Sequence, residues 1–276
     1  MELGMVMRAW AAGISFTAFL CGCDVQGSST PPAPEARLVV PYVGQGAGAL
    51  LLLPRAVVAF DAGPDSSDAM SEALDRQGVE TIDLMVVSHW DLDHVGGLER
   101  LVGQGRIRRL VHGAEPAEAW MSVRKEAWCR RIPEGCATVA GHRSLSDGFR
   151  LEFHTGDAES RDDNSRSLVA RLVDAAGTGL LLAPGDLDTT GESRLLASDP
   201  DLRAQVLLVG HHGSRSSSSL PFLGAVGAKT AIVQAGSGNR YGHPHVEALE
   251  RLRHLVEDLR WVRPQTTERL DLGTDP

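Results

Sequence analysis

His89, Asp91, Asp93 and His94 fall within six residues, in the run Ser88-His89-Trp90-Asp91-Leu92-Asp93-His94-Val95-Gly96-Gly97. Imidazole nitrogens and carboxylate oxygens together suit zinc, manganese or iron. On an extended turn, side chains two apart point the same way. His89, Asp91 and Asp93 are therefore expected to converge, with His94 turned to a neighbouring position. Gly96 and Gly97 let the next helix begin close to the cluster without a Cβ in the way. A solvated polar loop has no need of four potential ligands in this order.

Something rigid must hold such a cluster, and residues 82–87 are a continuous apolar and β-branched run, read as a fully buried strand. It delivers the cluster at its C-terminal end, where α/β sheets place chemistry. Strands are predicted over 37–43, 49–53, 57–60, 107–111, 150–154, 167–173, 179–183, 205–209, 231–234 and 259–262. Helical spacing covers 68–77, begins again at 95–101, and returns at 192–197 and 246–255; residues 114–136 read as a helical excursion. Strand runs on both sides of that excursion suit an α/β fold of two stacked sheets flanked by helices.

Three later segments could complete the site. Asp186 follows the strand at 179–183 after a glycine, so its carboxylate can bridge two cations about 3.5–4 Å apart, the separation used in two-metal hydrolysis. His211 and His212 follow the strand at 205–209, and Ser214 lies just behind them. His243 sits on a turn framed by Gly242 and Pro244, with Tyr241 beside it. Spacing alone does not decide which of His211, His212 and His243 are ligands. Asn164 is a poor zinc ligand but serves a harder ion such as manganese, or it simply forms a turn. Asp61 is expected to order the ligand loop from behind. His112, His142, His154 and His254 match no such pattern.

The pattern H-x-D-x-D-H-x-G-G resembles the metallo-β-lactamase superfamily motif, whose usual form is H-x-H-x-D-H. Aspartate at the second position is similar to the C-terminal hydrolase domain of ComEC-type DNA-uptake proteins. Further segments resemble that subgroup in the same order: Val43-Gly44-Gln45-Gly46, Phe60-Asp61-Ala62-Gly63, Asp163-Asn164-Ser165, Pro184-Gly185-Asp186, His211-His212-Gly213-Ser214 and Asn239-Arg240-Tyr241-Gly242-His243-Pro244-His245. The likeness runs from about residue 38 to 255.

It implies the αββα sandwich and two divalent ions, zinc or manganese and otherwise iron. His89 and Asp91 would hold one, Asp93 and His94 the other, with Asp186 between them and His211 among the ligands. It also implies hydrolysis, of phosphodiester or phosphoester bonds first, by a metal-activated hydroxide, with Asp93, His212 and His243 in the reaction. Asp61, Asn164, Ser214 and Tyr241 would touch substrate or support the ligands.

Two departures stand out. Gly46-Ala47-Gly48-Ala49 lacks the acid the subgroup carries there, and Arg263-Pro264-Gln265 replaces Arg-Thr-Asp. The sequence has no transmembrane channel, so a DNA-uptake role is not carried over. The alternatives are a lactone or β-lactam hydrolase, disfavoured by Asp91, and a catalytically degenerate, surface-tethered binding protein.

The 276 residues are 42% hydrophobic and 23% charged, ordinary for a globular domain that needs no staples. A formal net charge of −9 disfavours a non-specific nucleic-acid binder, which needs a basic surface. A monomer acting on a small hydrolysable substrate is expected.

Residues 1–23 combine Arg8, an apolar stretch over 9–20 and Cys21-Gly22-Cys23, the pattern of an export signal. The end resembles a bacterial lipobox, which implies a lipid on Cys23 and an exported, envelope-anchored protein; an ordinary cleaved signal or a simple anchor is the alternative. Residues 24–36 read as a Ser- and Pro-rich tether, leaving 37–276 as the catalytic domain. After export, Cys129 and Cys136 are either a disulfide or two free thiols.

Overall fold

A computed structural model describes Met1 and residues 36–273 apart from residues 158, 161 and 199. The predicted leader with Cys23 and the tether up to residue 35 lie outside the described residues. All described elements belong to the unit Ala33–Pro276.

The chain opens with a meander, β1 (Ala36–Pro41), β2 (Gly48–Leu53) and β3 (Ala56–Ala62), then α1 (Ala69–Arg76) and the buried strand β4 (Leu84–Val87). Two short helices follow, α2 (Leu92–Val95) and α3 (Leu98–Gly103), before β5 (Leu110–His112), α4 (Ala119–Cys129) and β6 (Cys136–Thr138). The second half runs β7 (Gly141–Ser144), β8 (Arg150–Thr155), β9 (Leu168–Val173), β10 (Gly179–Ala183), α5 (Thr189–Ala197), β11 (Val206–Leu208), α6 (Leu220–Val226) and β12 (Thr230–Val233). It closes with α7 (Val246–Leu255), β13 (Asp258–Trp261) and β14 (Thr267–Leu272).

Two seven-stranded sheets result, ordered β14-β1-β2-β3-β4-β5-β6 and β13-β12-β11-β10-β9-β8-β7. The expected two-sheet α/β sandwich is what forms, and the alternation of apolar residues explains it. Leu38, Val40 and Leu51 point between the sheets to meet Leu151, Phe153, Leu172 and Leu181. Val39 and Leu50, one residue out of phase, face the opposite side, with Met70, Leu74, Leu98 and Trp128. Leu182 and Leu207 do the same on the second sheet, against Leu195, Phe222 and Leu252. The central strands are therefore apolar on both faces, as a layer covered on both sides requires. Fully burying one such side chain contributes about 1.5–3 kcal/mol.

Besides α2, where the sequence predicts an extended turn, four elements went unread in the sequence. β6 and β7 are short and largely exposed, so no apolar run announces them. The apolar stretch of α6 is only seven residues long. β14 alternates weakly but pairs antiparallel along the whole of β1, closing an edge that would otherwise be open. Cys129 and Cys136 form a disulfide, with Cα atoms 5.3 Å apart, which ties the end of α4 to the start of β6.

The parallel pairs place the functional loops together. β3, β4 and β5 run parallel in one sheet, and β10, β11, β12 and β13 in the other. Across the sandwich the Leu168 amide donates to the Ser88 carbonyl at 2.8 Å, and within the second sheet the His211 amide, after β11, donates to the Gly185 carbonyl, after β10, at 3.1 Å. The segments after β4, β10 and β11 thus meet at one rim.

Candidate metal centre

The centre is built from the end of β4 outward. Ser88 is buried, and its amide and hydroxyl both donate to the Asp61 carboxylate, at 2.8 and 2.7 Å. With its proton committed there, the Ser88 oxygen accepts the Nδ1–H of His89 at 3.0 Å. That leaves the Nε2 lone pair of His89 pointing inward, buried and without any hydrogen-bond partner. His94 donates its Nδ1–H to the same Asp61 carboxylate at 2.7 Å, which frees its own Nε2. His212 donates Nδ1–H to the Gln234 carbonyl at 2.9 Å, freeing a third Nε2. Fixing one ring nitrogen of each histidine with an oxygen acceptor is how ligating imidazoles are oriented.

The freed nitrogens face carboxylates. His94 Nε2 lies 3.0 Å from Asp186 Oδ1, and His212 Nε2 lies 3.4 Å from Asp186 Oδ2 and 3.3 Å from Asp93 Oδ2. Among the described residues, two groups have ligand atoms close enough to share a cation: His89, His94 and Asp186, and Asp93, His94 and His212. His94 belongs to both. A buried nitrogen lone pair with no donor, set beside acceptor-only carboxylates, is a donor set that a divalent cation fits.

Backbone geometry differs from the extended turn expected of the motif. The chain enters α2 at Leu92, so the two-residue alternation stops at Asp91 and a helical turn carries Asp93 and His94. Asp91 therefore lies at the helix N-cap, half exposed, with its carboxylate 3.6 Å from His89 Nε2 and outside both groups. The expected division of ligands is His89 with Asp91 and Asp93 with His94; the geometry groups these residues differently, in two sets that share His94. The glycines do what their positions suggested. A Cβ on Gly96 would collide with the Asp65 amide, and one on Gly97 or Gly46 with the Ala62 or Asp93 carbonyl.

His211 and His212 both adopt left-handed backbone, at φ 50° and 53°. Such conformations cost about 1–3 kcal/mol each in a residue with a Cβ and persist only where the surroundings enforce them. Here they turn both rings towards Asp186, His212 fully and His211 from 3.7 Å. His211 Nδ1, His243 Nδ1 and Asn164 Oδ1 are buried without partners around the same well, of about 200 Å³, which Gln45, Asp91, Asp93 and Tyr241 also line. Ser214 does not reach it, since its hydroxyl pairs with Ser216 at 3.0 Å.

Sequence reasoning assigned no role to Ser88, Gln45 or Gln234. The first two lie inside quoted motifs, which was the available signal. Gln234 acts through its backbone carbonyl, which no side-chain pattern announces.

Charges without a bound cation are tightly linked. Burial disfavours the charged form of His212, but Asp186 and Asp93 outweigh it and push its pKa up to about 9. Burial likewise opposes charge on His94, and the Asp186 and Asp61 carboxylates hold it well above the ordinary imidazole range. Burial would raise Asp93, yet its contact with His212 and the field of His94 bring it down to about 2. His243 goes the other way: burial, then His212 and His211, lower it to about 4.

Asp61 gives a clean prediction, because it touches the ligands and lies outside both ligand groups. Asp61→Ala is expected to weaken metal affinity by about 10–100-fold, read by competition with a chromophoric chelator. Unchanged affinity would show that His94 needs no orienting partner.

Fold and site together define a hydrolase family. Residues 49–236 match the metallo-beta-lactamase superfamily, and the chain belongs to it. Among relatives, the competence protein ComA of Neisseria gonorrhoeae is 33% identical over 263 residues, covering 93% of this chain and 35% of that protein. ComE operon protein 3 of Bacillus subtilis (strain 168) is 33% identical over 199 residues, 68% of this chain and 24% of that protein. The ComEC-type resemblance is thereby supported, while the chain spans only about a third or less of these relatives. Two solved structures share the fold at low identity. YhfI from Bacillus subtilis has a TM-score of 0.58 at 10% identity, covering 85% of this chain and 99% of that one. A diphosphatase from the PhnP family has 0.55 at 14%, covering 86% and 98%.

Proposed function

We propose that this protein is a metal-dependent phosphodiester or phosphoester hydrolase with a two-cation site. The observation that carries the reading is the pair of ligand groups sharing His94, with the buried, unpartnered Nε2 of His89 aimed into one of them. His89, His94 and Asp186 would hold one cation, and Asp93, His94 and His212 the other. When bound, divalent cations polarise the scissile bond and lower the pKa of water towards neutrality.

The chain's own residues do the rest. Asp61 and Ser88 lock two imidazoles in the tautomer that presents Nε2. His212 has Nδ1 committed to Gln234 and Nε2 to the carboxylates, so it serves as a ligand and not as a mobile acid. His243 is neutral at pH 7 and lines the well, where it acts as a hydrogen-bond partner for substrate oxygen. Asn164 and Tyr241 line the same space. Zinc or manganese suits this nitrogen and oxygen set.

The lipobox-like end of the N-terminal sequence supports the reading of an exported protein, lipid-anchored at Cys23 in a bacterial envelope, and we propose that it acts there as a monomer. Among the described residues no helix is long and apolar enough to cross a membrane.

Metal analysis of the purified protein, together with turnover of bis(4-nitrophenyl) phosphate, tests the proposal. Bound divalent metal and chelator-sensitive turnover are expected. Metal-free, inert protein, or turnover of nitrocefin or a lactone in place of the diester, would overturn it.

A further inference from the structure

The well opens into a larger cleft of about 620 Å³, and Gln45, Asp91, Asp93 and Tyr241 line both. The cleft's far wall is the excursion before β6, and it is firmly built. Trp90 Nε1 donates to the Ala114 carbonyl at 2.8 Å, Trp128 Nε1 donates to Glu99 at 2.8 Å, and the disulfide pins the end of α4. At the first turn of that helix stands Trp120, 49% exposed and lining the cleft. Among the described residues its indole has no hydrogen bond, ring contact or cation against it. Exposed Leu92 also lines the cleft.

The other aromatic groups in the cleft are already occupied. Trp90 is buried edge-on to His112, with ring centroids 5.1 Å apart, and has the Lys125 ammonium 5.8 Å from its ring. Tyr241 stacks on His243, with ring centroids 5.6 Å apart, and carries the Arg240 guanidinium 4.8 Å from its centroid. Its hydroxyl also accepts from Arg240 at 2.6 Å. Arg240 is thus held in place, and among the described residues it is the only basic one lining the cleft. Against it stand Asp65, Glu118 and Asp163, in addition to the ligand-side Asp91 and Asp93.

This arrangement offers one flat apolar platform, one fixed cation and a surplus of negative charge. A polyanionic strand lying along the cleft would meet carboxylates at successive phosphates, the opposite of the basic track such strands need. A short diester with one charge and one flat ring meets both favourable groups.

Building on the hydrolase reading above, we propose that the cleft selects short phosphodiesters bearing a flat aromatic ring such as a nucleobase. Trp120 stacks that ring and Arg240 takes the phosphate oxygens, and extended nucleic-acid strands are excluded.

The test uses two diesters with the same leaving group, bis(4-nitrophenyl) phosphate and ethyl 4-nitrophenyl phosphate. Trp120→Ala is expected to raise KM about tenfold for the first, more than for the second, with kcat within about twofold. Trp120→Phe should restore most of the loss. A readout free of turnover accompanies it. In chelator-treated protein, saturation-transfer NMR should label the base protons of thymidine 5′-methylphosphate in the wild type and not in Trp120→Ala. Equal labelling, or unchanged KM in an active enzyme, overturns the cleft assignment and leaves the hydrolase reading intact. Wild-type inertness with Trp120-dependent labelling does the reverse. Binding of a 20-residue oligothymidylate that is tighter than the single nucleotide and steeply salt-dependent would overturn the exclusion of strands.

Discussion

Asp186→Asn is expected to reduce phosphodiester turnover by about 10²-fold or more and to strip metal from the protein. Orienting partners alone are worth about 10–100-fold, and Asp186 stands among the ligands themselves. Its two oxygens face three histidines: His94 at 3.0 Å, His212 at 3.4 Å and His211 at 3.7 Å. Asparagine keeps the volume and one acceptor but removes the charge, so steric damage does not confuse the result. The variant should also be less stable without metal. His94 and His212 are buried as cations against Asp186, and breaking a buried ion pair from one side costs about 3–5 kcal/mol. Asp93→Asn should be milder on stability, because Asp93 is partly exposed and its direct ion pair is with His212, at 3.3 Å, with His94 acting on it only through its field. Metal content by mass spectrometry, turnover and chemical denaturation read the three effects separately. Wild-type metal content in Asp186→Asn would remove Asp186 from the ligand set.

Much of this was legible before any coordinates. The continuous apolar run ending at Val87 could only be a strand buried on both faces, and a strand of that kind presents its next residues at a sheet rim. Asp61, Asp186 and His212 each end or follow a strand in the same way, so their meeting at one rim followed from topology. What did not follow was the local backbone. The two-residue alternation expected through His89, Asp91 and Asp93 ends where the helical hydrogen bonds of α2 begin, and that leaves Asp91 outside both ligand groups and puts His94, already expected as a ligand, in both. The left-handed pair His211 and His212 was equally invisible. Nothing in two successive histidines signals positive φ, which side chains other than glycine adopt only when tertiary contacts demand it. Trp120 was hidden for a different reason. An indole on a helix reads as core, and only the structure shows that this one faces an open cleft while Trp128, two turns on, is buried.

The linked charges predict that metal removal changes the pH dependence of stability, not only its size. Without metal, His212 has its pKa raised from 6.5 to about 9, so the stabilisation from its charge is complete below pH 6.5 and is lost as pH rises through about 9. Asp93, lowered from 3.8 to about 2, contributes above pH 3.8 and loses its contribution as pH falls through about 2. The metal-free site therefore stabilises the fold most between about pH 4 and 6.5, and His212 alone accounts for a loss on the order of 3 kcal/mol towards pH 9. His94, raised in the same direction, adds to that slope. With metal the sign reverses over the same window. Each cation must displace the proton from an imidazole Nε2, so binding strengthens as pH rises from 6 to 9, and the metal contributes stability through mass action. Calorimetric Tm values at pH 5, 7 and 9 should fall with pH in chelator and diverge upward from that line with zinc or manganese. The same displacement should release protons on binding at pH 7, visible as a buffer-dependent binding enthalpy. A chelator-treated protein whose Tm is flat from pH 6 to 9, with no proton release, would mean that His94 and His212 are neutral against Asp186.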